Sequence, residues 1–263
     1  MKHAAFLREV ETRLIDAARG ISPDDAEKLR RYHGSTVPHL GLAVPVQRQM
    51  LRLGYSFSRL PFEQQLPVWD ALWRQARYYE TKTQALYYGA ARRKPAELAQ
   101  LWSVVRGWIE TVDCWDSSDE LSSIYARILE VEGLRDEVYA VLCRWNRSTN
   151  PWKRRQSILS LLYYSRSRRS VLPSTRIFPL IESLLEDDDR FVQKAVGWSL
   201  REALTPFPEE TEAFIRRHVT TLSPTAFAEA TRKLPPDQRE QIKAARRPSR
   251  RNGKIRQSRR SPA

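Results

Sequence analysis

The chain has 263 residues, of which 41% are hydrophobic and 29% charged. That composition supports one sizeable core and excludes a disordered or fibrous protein. Net charge is +14 at pH 7, which points to a polyanionic partner.

The start, "MKHAAFLREVETRL", is amphipathic and carries acids, so it reads as a first helix over 2–19 and not as a secretory leader. Helical periodicity continues over 23–33, 45–54, 61–77, 80–93 and 95–110. Only nine glycines and no long β-branched run argue against a sheet. No apolar stretch reaches the roughly 18 residues that span a membrane. Cys114 and Cys143 have no metal-ligand spacing, and the histidines are scattered. The expectation is a reducing cytoplasm, with no metal and no cofactor.

Residues 112–120 read "VDCWDSSDE", an acidic cluster in a basic chain. The following helix, 117–132, has a stripe of Leu121, Ile124, Tyr125, Ile128 and Leu129. Ser117 with Glu120 would make a capping box, placing Asp119 in the first turn. If the helix begins earlier, Trp115 and Asp119 are i, i+4 neighbours opposite the stripe. By spacing alone Asp119 and Asp116 read as solvated acids at a helix start.

Helices follow at 135–146 and 152–165. In the second, Arg155 extends the column of Ile158, Leu159 and Leu162 by one turn, so its sheltered guanidinium needs a carboxylate, a phosphate or water. Next, "RIFPLIESLLEDDDR" puts Ile177, Leu180, Ile181, Leu184 and Leu185 on one face. The helix stops in the acidic run 187–189 and restarts with the stripe Val192, Ala195, Val196, Ser199, Leu200 and Ala203, making an αα-hairpin. Trp198 lies about 130° from the centre of that stripe, beside Lys194 and Arg201. An aromatic flanked by cations suits a nucleic-acid surface; packing on a neighbouring helix is the alternative. A helix over 209–219 follows. Residues 241–263 hold nine cations and no acid, a polybasic tail separate from the domain at 1–240.

Lys82, Asp119, Arg155 and Lys194 recur at intervals of 37, 36 and 39 residues. Such a period fits stacked helix pairs. The fold class expected is therefore all-α, an α-solenoid of HEAT-like helix pairs with a concave DNA-binding surface.

Several segments together resemble the HEAT-like DNA alkylation-repair glycosylases, the AlkD-like family. "WDSSD" at 115–119 is similar to their W-D-x-x-D segment, and "WKRR" at 152–155 to their W-x-x-R. "FVQKAVGWSLRE" at 191–202 follows their F-x-Q-K-A-x-G-W-x-L-R-E run, and "YHGSTVPHLGLAVPVQR" at 32–48 their tyrosine and G-[IV]-x-x-P-x-x-R segment. "LSPTAFAEATRKLP" at 222–235 resembles the family's closing helix. The resemblance covers about residues 25–235. It implies excision of cationic N3- or N7-alkylpurines from double-stranded DNA by a monomer. It also implies that Asp119 is the catalytic carboxylate, that Trp115 and Trp198 contact the lesion-bearing nucleotide, that Arg155 grips the DNA backbone, and that Tyr32 lies near the groove. Cys114 stands where the family often has a second tryptophan, and Ser118 replaces an aliphatic residue. The competing expectation is a non-catalytic HEAT-like scaffold that binds bent, damaged or branched DNA.

Overall fold

Prolines and short polar side chains set where the helices begin. The computed structural model describes residues 3–246, and within them the chain forms fourteen α-helices, four short 3-10 turns and no strand. Pro23, Pro95, Pro151, Pro208, Pro224 and Pro236 each open a helix, where a missing N–H costs nothing and the fixed φ is already helical. Ser22, Asn150, Asp189 and Ser223 accept from first-turn amides, satisfying donors that have no partner within the helix.

In chain order the helices are α1 (Ala4–Ala17), α2 (Pro23–His33), α3 (Val44–Leu53), α4 (Phe62–Gln75), α5 (Tyr79–Ala90), α6 (Pro95–Val105) and α7 (Trp115–Ile128). They continue with α8 (Arg135–Trp145), α9 (Pro151–Leu162), α10 (Ser174–Glu182), α11 (Arg190–Ala203), α12 (Pro208–Arg217), α13 (Pro224–Ala230) and α14 (Pro236–Arg246). Helices α3, α5, α7, α9, α11 and α13 pack each on the next, forming one row. A second row lies against it: α4 on α5, α6 on α7, α8 and α10 on α9, and α12 on α11. The core is the apolar seam between the rows, and includes Trp69, Trp73, Trp102, Leu121, Ile158 and Val196.

Two places in the row are tightly specified. Helix α5 is buried from Tyr79 through Gly89, so its polar groups must find partners inside the protein. The Glu80 carboxylate accepts from the backbone amides of Leu40, Gly41 and Leu42 at 2.8–3.2 Å. Burial nevertheless raises its pKa above the usual carboxylate range. Lys82 donates to the Thr111 carbonyl at 2.8 Å and lies over the Trp73 ring. At the other end, Gly197 of α11 lies against α13 so closely that a Cβ there would meet the Ala226 carbonyl oxygen at 2.4 Å.

Several boundaries differ from the sequence reading: α6 ends at Val105 and not at 110, α10 ends at Glu182 before the acidic run, and three others have a local cause. Helix α7 starts at Trp115 behind Cys114, with no side-chain cap, so the Ser117–Glu120 capping box does not form. Ser117 is buried, where its hydroxyl meets the Cys114 thiol at 3.4 Å; that packing prevails over the capping pattern. Helix α9 ends at Leu162 because Tyr163 turns to an extended ψ of 115° and Tyr164 then takes a left-handed conformation, neither of which continues a helix. Helix α14 runs through residue 240 to Arg246, whose guanidinium donates to the Leu222 carbonyl at 2.6 Å and lies over the Phe227 ring. Residues 247–263 of the expected tail lie outside the described residues.

Candidate functional site

With α7 starting at Trp115, Trp115 and Asp119 stand one turn apart on the same face. Asp119 lies where α7, α9 and α11 meet, and Arg155 of α9 ties the three together. Arg155 is 4% exposed. Its Nε donates to the Ser118 hydroxyl at 3.1 Å, its Nη1 to the Phe191 carbonyl at 2.7 Å, and its Nη2 to Asp119 Oδ1. The guanidinium need inferred from the sequence is therefore met by a carboxylate inside the protein. The fork geometry of Arg suits three divergent acceptors, which the single ammonium of Lys could not match.

The Asp119 side chain keeps 30% exposure, so it is the open member of the pair. Burial pushes its pKa above the ordinary carboxylate value, and neighbouring Asp116 pushes the same way. Arg155 and, more weakly, Lys194 oppose that rise. Lys194 itself is exposed. Asp116 is held separately by the Tyr79 hydroxyl, which donates to its Oδ2. Glu120, next to Asp119, is also raised by burial and by Asp116; its nearest cation is Arg48, at 3.6 Å.

Aromatic side chains flank the acid on both sides. Trp115 donates its indole N–H to the Tyr32 carbonyl at 3.1 Å. The rings of Tyr32 and His33 meet it at 5.5 and 5.4 Å, nearly perpendicular in both cases. Tyr32 is 69% exposed. His33 is held from behind. His39 Nδ1 lies 3.0 Å from the Val37 carbonyl and must donate to it, so His39 Nε2 accepts from His33 Nδ1, also at 3.0 Å. Burial lowers both histidine pKa values, His39 to about 4, and His39 stacks flat on Tyr79 at 4.1 Å. Both imidazoles are thus neutral at pH 7.

On the far side, half-buried Trp198 of α11 stacks on Tyr163 at 5.3 Å. Arg201 lies over the Trp198 ring at 5.6 Å but is itself buried. Its Nη1 pairs with Glu229 of α13, and its Nε is 3.8 Å from Glu202. Arg201 therefore braces α11 against α13 and Trp198, while Arg190 and Lys194 are the exposed cations of that helix.

The structure brings Trp115, Asp119 and Arg155 together and places Tyr32 on Trp115 and Trp198 beyond Arg155. Sequence reasoning missed Tyr163, Tyr79, His33 and the hydroxyl of Ser118. Tyr163 lies near enough to Asp119 for that charge to raise its pKa, after the larger effect of burial. The sequence signal for it was the pair "YY" that follows the α9 stripe. No group of three potential metal ligands occurs among the described residues, and no described helix is long and apolar enough to cross a membrane.

The sequence of the chain matches a known family. The family model described as DNA alkylation repair enzyme matches residues 15–234. The chain belongs to the DNA alkylation repair enzyme family. Among solved structures it is similar to a predicted DNA alkylation repair enzyme from Enterococcus faecalis. That similarity has 19% identity and a TM-score of 0.63, and covers 82% of this chain and 97% of the other. It is also similar to AlkD2 from Streptococcus mutans, with 16% identity and a TM-score of 0.49, covering 86% of this chain and 97% of the other. No curated protein matches the chain.

Proposed function

We propose that the chain is a monofunctional DNA glycosylase that hydrolyses the N-glycosidic bond of cationic N3- or N7-alkylpurines in duplex DNA. In this reading the helix row is a HEAT-like solenoid, and the faces of α7, α9 and α11 that carry Trp115, Asp119, Lys194 and Trp198 line its concave DNA-binding side. The observation that carries the reading is Asp119: a partly open carboxylate, with one oxygen held by a buried arginine, between two tryptophans in a basic chain.

The chemistry needs little more. An alkylpurinium departs with the electron pair of the C1′–N bond and becomes neutral, so no general acid has to protonate it. Positive charge then grows on C1′ and O4′ of the deoxyribose. A carboxylate fixed nearby stabilises that charge and orients the water that attacks C1′. Glycosidases with poor leaving groups need two carboxylates; here one suffices. Water contributes its oxygen to C1′ and loses a proton, leaving an abasic deoxyribose and the free base. The faces of Trp115 and Trp198 favour a cationic sugar or base. Arg155 acts on the reaction through Asp119, by fixing Oδ1.

The test is release of free 7-methylguanine and 3-methyladenine from methylated duplex DNA, followed by chromatography, with DNA binding measured in parallel. The reading predicts free base and an equal yield of abasic sites. Tight binding with no base released would support the non-catalytic scaffold instead.

A further inference from the structure

Tyr164 is the only non-glycine residue with positive φ among the described residues, at φ 44° and ψ 54°. For a bulky aromatic the left-handed conformation is strained, and the position just beyond a helix end is usually filled by glycine. The surroundings nevertheless fix it. The Tyr164 carbonyl accepts from both the amide and the hydroxyl of Ser167 at 2.9 Å. Ser165, the next residue, is buried and donates to the Glu202 carbonyl of α11 at 2.8 Å. Arg168, paired to Glu130 at 2.9 Å, reaches back to the Leu161 carbonyl at the end of α9.

That framework does not bury the side chain. Tyr164 is 60% exposed, although its ring meets Tyr163 edge-on at 4.7 Å and Trp198 at 6.1 Å. Tyr163 and Trp198 are stacked on each other, so the three rings form one aromatic group that continues from Trp198 to the surface. Beside Tyr164 lies a recess of about 110 Å³ lined in part by Ser123, Arg127, Ser167 and the Glu130–Arg168 pair, in which the Arg168 charge is already neutralised, so Arg127 is its open cation. Strained backbone that the surroundings hold in place tends to serve function. An exposed aromatic face next to a cationic side chain is what an unpaired nucleobase and its phosphate require.

We propose that Tyr164 is a stacking residue for a nucleobase that has left the duplex stack at or beside the lesion, with Arg127 facing the attached phosphate. This rests on the DNA-processing reading above, but its test reads binding and not base release. The probe is 2-aminopurine in an unmethylated duplex with a tetrahydrofuran abasic analogue, placed either opposite the analogue or immediately beside it. Full-length wild-type protein should quench the probe in one of the two duplexes, and the responding duplex identifies which base is held. Glycine suits the left-handed backbone, so Tyr164→Gly should fold and unfold at a higher temperature than wild type. It should lose the quenching and bind that duplex about tenfold more weakly, whereas Tyr164→Phe should keep both. Unchanged quenching and affinity in Tyr164→Gly, or no quenching by wild type in either duplex, would overturn the proposal. Base release from methylated DNA judges the glycosylase reading independently of both outcomes.

Discussion

Replacing Arg155 by Ala tests whether one buried guanidinium both holds the helices together and sets the acid. The change removes donors to Ser118, Phe191 and Asp119. Removing one partner of a fully buried ion pair costs about 3–5 kcal/mol. Asp119 is 30% exposed on its side chain, so water replaces part of the lost interaction and the cost falls to about 2–3 kcal/mol. For a chain of this size that lowers the thermal midpoint by about 5–10 °C. The same loss removes the principal influence that lowers the Asp119 pKa while leaving burial in place. The acid limb of the pH–rate profile should therefore move to higher pH. Thermal denaturation and a pH series of single-turnover base release measure the two effects. Arg155→Lys should recover part of the stability, because it restores the charge but not the fork. A midpoint within 1–2 °C of wild type, a shift below roughly one kcal/mol, would refute the bracing role. An acid limb that stayed in place would refute the electrostatic one.

Three further outcomes follow from the same contacts. Gly197→Ala should gain about 1 kcal/mol of helix propensity yet lose more to the Ala226 backbone, which a Cβ would meet at 2.4–2.8 Å. The net fall of about 1–2 kcal/mol is read from urea unfolding, and a gain would show that α13 yields. Glu80→Ala leaves the amides of Leu40, Gly41 and Leu42 without their acceptor. It should destabilise by about 2–4 kcal/mol, with exchange of those amides accelerated in hydrogen-exchange measurements. In wild type, Asp119 must be ionised to act and its pKa is raised. Base release should therefore increase as pH rises through values above the ordinary aspartate range, and a limb at or below about pH 3.8 would contradict the burial described.

The amphipathic helices were legible because each buries one face. The α11 stripe from Val192 to Ala203 is buried as the periodicity predicts, and Trp198 lies off it. Helix α5 shows the limit of that signal. It is covered on all sides, and partners distant in sequence satisfy Glu80 and Lys82. The need of Arg155 for a counter-charge could be read from its place above an apolar column. Which acceptor met it depended on how α7 packs against α9, and that in turn on a helix start that the serine pattern misplaced. Arg201 looked like a surface cation because Glu229 and Glu202 come to it only through tertiary packing. Tyr163 and Tyr164 follow the last periodic turn of α9, so their contacts with Trp198 arise from the helix end and not from any repeat.

The most direct test of Asp119 as the reacting carboxylate is single-turnover release of 7-methylguanine by Asp119→Asn, with DNA affinity and the unfolding midpoint measured on the same protein. Asparagine keeps an oxygen that can accept from Arg155 Nη2 but removes the charge opposite that buried guanidinium. The variant should therefore be about 1–2 kcal/mol less stable than wild type, with DNA affinity near that of wild type. Base release should fall about a hundredfold or more. Release at the wild-type rate by a folded, DNA-binding Asp119→Asn protein would contradict the role assigned to Asp119.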